Sequence, residues 1–167
     1  MPKRIRMSLR LSDEPMVFSH ELVPAEFSYL EVMADAFLDA YRDTVDYEGE
    51  TLTQTIDEIT RVYRGCYGPF MQDSSFLLME NDQVSAGVLV CLYRDEPTIT
   101  YTFTRKKDQR LGYATLLINR AAFELYKKGF HSLYLYVTVE NTDALRLYES
   151  MGFTEVPITT VSDINID

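Results

Sequence analysis

The chain has 167 residues, 46% of them hydrophobic and 25% charged, and a formal net charge of −10, which suits one domain with a real core over residues 1–167 and leaves too little length for two. Its acidity excludes a duplex nucleic-acid binder, which needs a broad basic surface to displace counterions. The nearly apolar run Val84–Tyr93 is too short to span a bilayer and no apolar segment follows the basic N-terminus, so a soluble cytoplasmic protein with no membrane partner is expected.

Arg4 to Leu11 alternates, with Ile5, Met7 and Leu9 on one side and basic residues on the other, and reads as a first strand. Pro24 reads as the first residue of a helix in which Phe27, Leu30, Ala34, Leu38 and Tyr41 recur at three- and four-residue intervals. The polar stretch Asp43–Glu50 ends it. A second helix runs from about Thr51 to Arg64, striped by Leu52, Ile56, Ile59 and Tyr63 and stopped at Gly65. From Ser12 to Arg64 there are thirteen acids and three bases, which accounts for the whole net charge. That distribution reads first as a solvated surface, and it also suits a cationic small substrate.

Ser75–Glu80 and Gln83–Tyr93 flank Asn81-Asp82 as a hairpin, and Arg94–Pro97 turns the chain into a third antiparallel strand, Ile99–Thr104. The run Thr104-Arg105-Lys106-Lys107-Asp108-Gln109-Arg110-Leu111-Gly112-Tyr113-Ala114 then leads into a helix that carries Leu117, Ile118, Ala121 and Leu125 on one side and stops at Gly129. A helix entrance presents backbone N–H groups with no intrahelical acceptor and the positive end of the macrodipole, and Gly112 allows an anion close to the main chain. Arg105, Lys106, Lys107 and Arg110 are expected to reinforce that field, so the loop is built to hold a polyphosphate.

Ser132–Val139 is a further strand, Asn141-Thr142-Asp143 caps a short helix from Ala144 to Met151, Gly152 closes it, and Phe153–Ile158 is a last strand. The polar residues Ser162–Asp167 are expected to fray. The order β-α-α-β-β-β-α-β-α-β describes a mixed α/β (α+β) domain. Cys66 and Cys91 lack a partner spacing, so neither a disulfide nor a metal site is expected. No G-x-S-x-G, H-E-x-x-H or G-K-[ST] occurs, and His20 and His131 lie outside any motif.

Two stretches carry a family resemblance. Gln109-Arg110-Leu111-Gly112-Tyr113-Ala114 is similar to Q/R-x-x-G-x-G/A, the pyrophosphate loop of the GNAT N-acetyltransferase superfamily, and Asn141-x-x-Ala144-x-x-Leu147-Tyr148-Glu149-x-Met151-Gly152-Phe153 resembles its second signature. The resemblance implies a mostly antiparallel mixed sheet flanked by helices, with acetyl-CoA held by main-chain groups of Gln109, Arg110, Leu111, Gly112, Tyr113, Ala114 and Thr115. It further implies a bulge that splays the strand pair around the cofactor, freeing main chain at Thr102, Phe103 and Thr104. Asn141 is read either as a ligand of the cofactor's amides or as a helix cap.

By the same resemblance Tyr148 is the general acid for the departing thiolate, against a plain packing role, and the amine attacks the thioester directly. The acceptor, a small cationic or peptidic amine, is expected under the connection from Tyr41 to Glu50, with Tyr41, Asp46 and Glu48 as its contacts. For the base, Glu140, Tyr136, Tyr101, Asp46, Glu48, Glu50 and a water chain all stay open. Members often have Val-x-Pro where this chain has Thr104-Arg105-Lys106, and Tyr136 stands where a ribosomal-protein acetyltransferase branch has a glutamate base. A homodimer is consistent with the superfamily. A catalytically idle acyl-CoA-binding sensor is the second reading, since a sensor does not need Tyr148.

Overall fold

A computed structural model describes residues 3–13 and 20–158; the tail Ser162–Asp167 lies outside them. Seven strands are present: β1 (Arg4–Arg10), β2 (Leu22–Pro24), β3 (Phe76–Glu80), β4 (Gln83–Tyr93), β5 (Glu96–Thr104), β6 (Ser132–Thr138) and β7 (Thr154–Val156). Four helices accompany them: α1 (Leu30–Tyr41), α2 (Leu52–Tyr63), α3 (Tyr113–Lys127) and α4 (Thr142–Met151). The strands form one sheet in the order β2-β3-β4-β5-β6-β1-β7, and β5–β6 is its parallel pair.

Local chemistry accounts for most boundaries. Both hairpin turns carry two consecutive left-handed residues, Asn81 and Asp82 (φ 50° and 62°) and Arg94 and Asp95 (φ 51° and 66°), the conformation whose twist matches that of paired strands. The second turn is therefore tighter than Arg94–Pro97, and Glu96 and Pro97 already pair with Tyr93 and Leu92. In α2, Thr51 and Gln54 form a reciprocal capping box, at 3.1 Å and 2.9 Å.

The expected helix start at Pro24 is corrected. Pro24 ends the short strand β2, opposite Phe76, and α1 begins at Leu30 after a 3₁₀ turn over Phe27–Tyr29. Proline is tolerated there because β2 is an edge strand that needs few ladder donors. The last strand is likewise shorter than Phe153–Ile158, and α4 starts at Thr142, two residues before the expected Ala144.

Two cores cover the two faces of the sheet. On one, Leu117, Ile118, Ala121 and Leu125 of α3 pack on Val88, Val90, Leu133 and Leu135. On the other, Met33, Phe37 and Ile59 of α1 and α2 pack on Leu77, Leu89 and Phe103. The fully buried α3 stripe and Cys91, which is free, are thus core material, while Cys66 is exposed. Among the described residues, no helix is long and apolar enough to cross a membrane, and no three His, Cys, Asp or Glu side chains gather as a metal site.

Candidate active site

Strand β5 pairs with β6 only at Thr98–Tyr134 and Ile99–Leu135, although β5 continues to Thr104 and β6 to Thr138. The two strands therefore part company beyond Ile99. A register shift between Leu89 and Val90, opposite Tyr101 and Ile99, leaves Thr100 as the extra residue of a bulge, and a bulge bends its strand away from a neighbour. Thr102 Oγ1 is buried there without a hydrogen-bond partner among the described residues, a polar atom at the splay that a ligand amide would satisfy. Phe103 is 3% exposed and its ring belongs to the α1 core, so it offers the splay its main chain alone.

The connection between α1 and α2 bridges both lips of the splay. Tyr41 donates its phenol O–H to the Thr102 carbonyl on β5 (3.2 Å), and Thr138 on β6 donates to Asp46 Oδ1 (2.8 Å). Tyr148, 7% exposed on α4, completes the group. Its phenol is held well above the ordinary value, first by burial and then by the Asp46 carboxylate; the Tyr41 phenol is raised by burial, Tyr148 and Asp46, with Arg4 opposing. Of the expected acceptor contacts, Tyr41 and Asp46 are brought together with Tyr148. Glu48 is exposed, with its main-chain N–H on Glu50 Oε1 at 3.0 Å.

At the other end of the splay the basic run enters α3. Arg110 and Gly112 are both left-handed, at φ 66° and 82°. A Cβ built on Gly112 would meet nothing within 4 Å, so there is open space over the first turn of α3 where Tyr113, Ala114 and Thr115 direct N–H groups with no acceptor inside the helix. Tyr113 itself is buried and donates to Glu80 Oε2 (2.8 Å), which seats that turn, and Gln109 Nε2 donates to the Thr104 carbonyl (3.1 Å). Leu111 is 59% exposed on the loop.

The expectation that four cations serve this loop is corrected. Arg105 pairs with Asp35 (2.8 Å) and donates to the Val84 carbonyl, while Lys106 donates to the carbonyls of Asp39 and Arg42 and its amide bonds Asp39 Oδ2. Asp35 and Asp39 lie one turn apart on the same face of α1, so two of the cations clamp that helix to the end of β5. Lys107 and Arg110 stay exposed on the loop itself. Asn141 caps α4, its Oδ1 accepting from the Ala144 N–H at 3.3 Å; the cap uses the oxygen and takes nothing from the NH₂ group.

One feature of the site has no counterpart in the motifs. Glu58 on α2 accepts phenol O–H bonds from both Tyr67 and Tyr101 on the same oxygen, each at 2.5 Å, and Arg61 Nε lies 3.5 Å from the other oxygen. Tyr101 is edge-on to Phe37 and its ring centroid is 6.4 Å from that of Tyr41. Beyond Tyr41, the sheet surface carries Tyr136 between Tyr93 and the Arg4 guanidinium.

Burial of phenols has a measurable consequence. Tyr41, Tyr63, Tyr101 and Tyr148 all hold their protons more tightly folded than unfolded, in each case first through burial. The unfolded chain releases these protons near pH ~10, so folded stability is fully present below that and declines above it, by up to about 1.4 kcal/mol per pH unit for each phenol. Thermal melts are expected to keep Tm level up to about pH 9.5 and to show a steep fall by about pH 11; a level Tm throughout would contradict it.

Comparison with known proteins agrees with this geometry. Residues 29–153 match the profile of the Acetyltransferase (GNAT) family. The [ribosomal protein bS18]-alanine N-acetyltransferase of Escherichia coli K12 is 33% identical over 84 residues, 50% of this chain and 57% of that protein; the chain spans about half the length of the curated relatives it matches. The crystal structure of the ribosomal-protein-S18-alanine N-acetyltransferase from Escherichia coli superposes with a TM-score of 0.66 at 23% identity, over 82% of this chain and 79% of that one. The PaiA N-acetyltransferase of Thermoplasma acidophilum, solved in complex with coenzyme A, does so with a TM-score of 0.65 at 14% identity, over 80% and 89%. With strands that part beside a glycine-led helix entrance, and with both signatures inside the matched span, this chain belongs to the acetyltransferase (GNAT) family.

Proposed function

We propose that this protein is an N-acetyltransferase that moves an acetyl group from acetyl-CoA to a primary amine arriving as an ammonium ion, with Tyr148 as the acid. The observation that carries the reading is the bridged splay: Tyr41 on one lip, Asp46 on the other, and Tyr148 buried beside both. When bound, acetyl-CoA supplies a thioester carbon open to an amine. The open space over Gly112, the N–H groups at the α3 entrance and the unpartnered Thr102 Oγ1 fit its diphosphate and its amide-bearing arm.

Within this reading Tyr148 keeps its proton at every working pH and directs it at the sulfur. Complete transfer from so weak an acid to a thiolate of pKa ~8.5 is uphill, so its contribution is a hydrogen bond that strengthens as the sulfur gains charge. Asp46 draws the ammonium towards the splay. The Escherichia coli relative's name specifies a protein alanine as acceptor; the acids and phenols around this splay support a cationic amine, small or at a peptide end.

The test combines binding with turnover. Calorimetry is expected to give a single coenzyme A site, and Gly112→Ala is expected to weaken it at least tenfold, because the added methyl projects into the open space while an L residue at positive φ costs about 1–2 kcal/mol. Thiol release from acetyl-CoA across a panel of primary amines then separates an enzyme from a binding protein. Coenzyme A affinity undiminished in Gly112→Ala would remove the loop from the site, and binding without transfer to any amine would favour an acyl-CoA sensor.

A further inference from the structure

The ammonium form of an amine cannot attack a thioester, so a proton must leave before the new C–N bond forms. Asp46 is engaged with Thr138 on the far lip of the splay, beside the acid Tyr148. Tyr136, at the position where a glutamate serves in one branch of the family, faces Arg4 and Tyr93. Among the described residues, the carboxylate bonded to a side chain of the parted stretch of β5 is Glu58, which lies on α2 and reaches the strand through Tyr101, the residue next to Thr102.

Two phenol O–H groups on one carboxylate oxygen at 2.5 Å form short charge-assisted hydrogen bonds. With the Tyr101 proton committed to Glu58, the lone pairs of the Tyr101 oxygen are open to a new donor. The ring is fixed by Phe37 (centroids 4.8 Å apart, 78°) and by Tyr41, whose ring centroid is 6.4 Å away and whose phenol bonds Thr102, so that oxygen is held in place. Among the described residues the groups bonded to the carboxylate are Arg61 on its own helix, Tyr67 on the loop that follows and Tyr101 on β5, with the Tyr41 phenol acting on Tyr101 and the Cys66 thiol on Arg61. Its side chain is 28% exposed, which gives a proton a way out to water.

We propose that Glu58, acting through the Tyr101 phenol, receives the proton that the acceptor ammonium loses. The inference rests on the acetyltransferase reading above. In the step, an N–H bond of the ammonium breaks as an O–H bond forms on Tyr101, and the original Tyr101 O–H bond breaks as one forms on Glu58 Oε2. An ammonium and a carboxylate become an amine and a carboxylic acid, nothing is oxidised or reduced, and Glu58 returns its proton to solvent. Tyr101 is the catalytic residue in this relay and Glu58 a positioning residue and proton store. No free phenolate forms, so the tight hold of Tyr101 on its proton is no obstacle to a concerted transfer.

The experiment measures kcat, KM and the pH profile of kcat/KM for a primary amine, with coenzyme A affinity and Tm, in the wild type, Glu58→Gln, Tyr101→Phe and the double variant. Both single variants are expected to lose about a hundredfold in kcat at pH 7, the scale of general base catalysis, with coenzyme A affinity unchanged. Their kcat/KM is expected to climb by about tenfold per pH unit towards the amine's own pKa, because only amine that arrives deprotonated can react, while the wild type is flatter. The double variant is expected to be no slower than either single one, since both interrupt one relay. Wild-type turnover and pH profile in Glu58→Gln, or losses that multiply and do not recover at high pH, would overturn the relay and leave the acetyltransferase reading standing. A wild-type protein that acetylates no amine would overturn both.

Discussion

Tyr148→Phe is expected to lower kcat by about 300- to 1,000-fold, within the range of general acid catalysis, with KM for the amine and Kd for coenzyme A each moved by less than about threefold. The substitution removes one oxygen and keeps the ring, so the edge-on contact with Phe153 (centroids 5.7 Å apart) and the packing of α4 survive. What disappears is the buried O–H, whose value on the proposed reading lies in the charge that develops on sulfur and not in the ground state. Steady-state kinetics with an acetyl-CoA thiol-release assay check it. A kcat within about fivefold of wild type would assign Tyr148 to packing, the outcome a binding protein would also give.

A larger effect on stability is expected at Gly68. Its φ is +99°, and an added Cβ would stand 2.3 Å from the Leu92 carbonyl oxygen, 2.7 Å from its carbon and 3.0 Å from Tyr93 Cα. All three are backbone atoms of β4 and cannot swing aside. The segment is also tied to β4 by Leu92 N–H on the Pro69 carbonyl and Met71 N–H on the Val90 carbonyl. Gly68→Ala therefore combines about 1–2 kcal/mol of left-handed strain with about 1–3 kcal/mol of overpacking, roughly 2–5 kcal/mol in all, or a Tm drop on the order of 10 °C.

Gly129→Ala is the internal control: φ is +95° but a Cβ there meets nothing within 4 Å, so only the conformational cost of about 1–2 kcal/mol applies. Urea unfolding of the two variants distinguishes them, and equal losses would show that the segment after α2 yields to the methyl. Because Tyr67 precedes Gly68 and donates to Glu58, displacement of this loop is also expected to disturb the carboxylate before the protein unfolds.

The strand β2 illustrates where a linear reading stops. Three residues ending in proline carry no period-two signal, and Leu22–Pro24 becomes a strand only because β3 offers an open edge. The basic run is a second case. Its charges were legible one by one, but whether they face an anion or a neighbouring helix depends on Asp35 and Asp39, about seventy residues earlier in the chain. Glu58 is a third: beside the apolar stripe of α2 it is indistinguishable from a solvated helix acid, and its meaning comes from Tyr101, 43 positions away.

Residue order alone determined the hairpins, the helical stripes, the glycine-led entrance to α3 and the capped helix that carries Tyr148, because each depends on contacts within a few residues or on the backbone freedom of a single one. Tertiary structure decided which side chains share the splay: Tyr41 with Thr102, Asp46 with Thr138, and Glu58 with Tyr101. Those pairings span 43 to 92 positions and follow from β5 lying beside β6, parallel for two residue pairs and then bent away by the bulge at Thr100. Strand neighbours and bulge register are set by how two cores pack against opposite faces of one sheet, a condition that no short stretch of the chain contains.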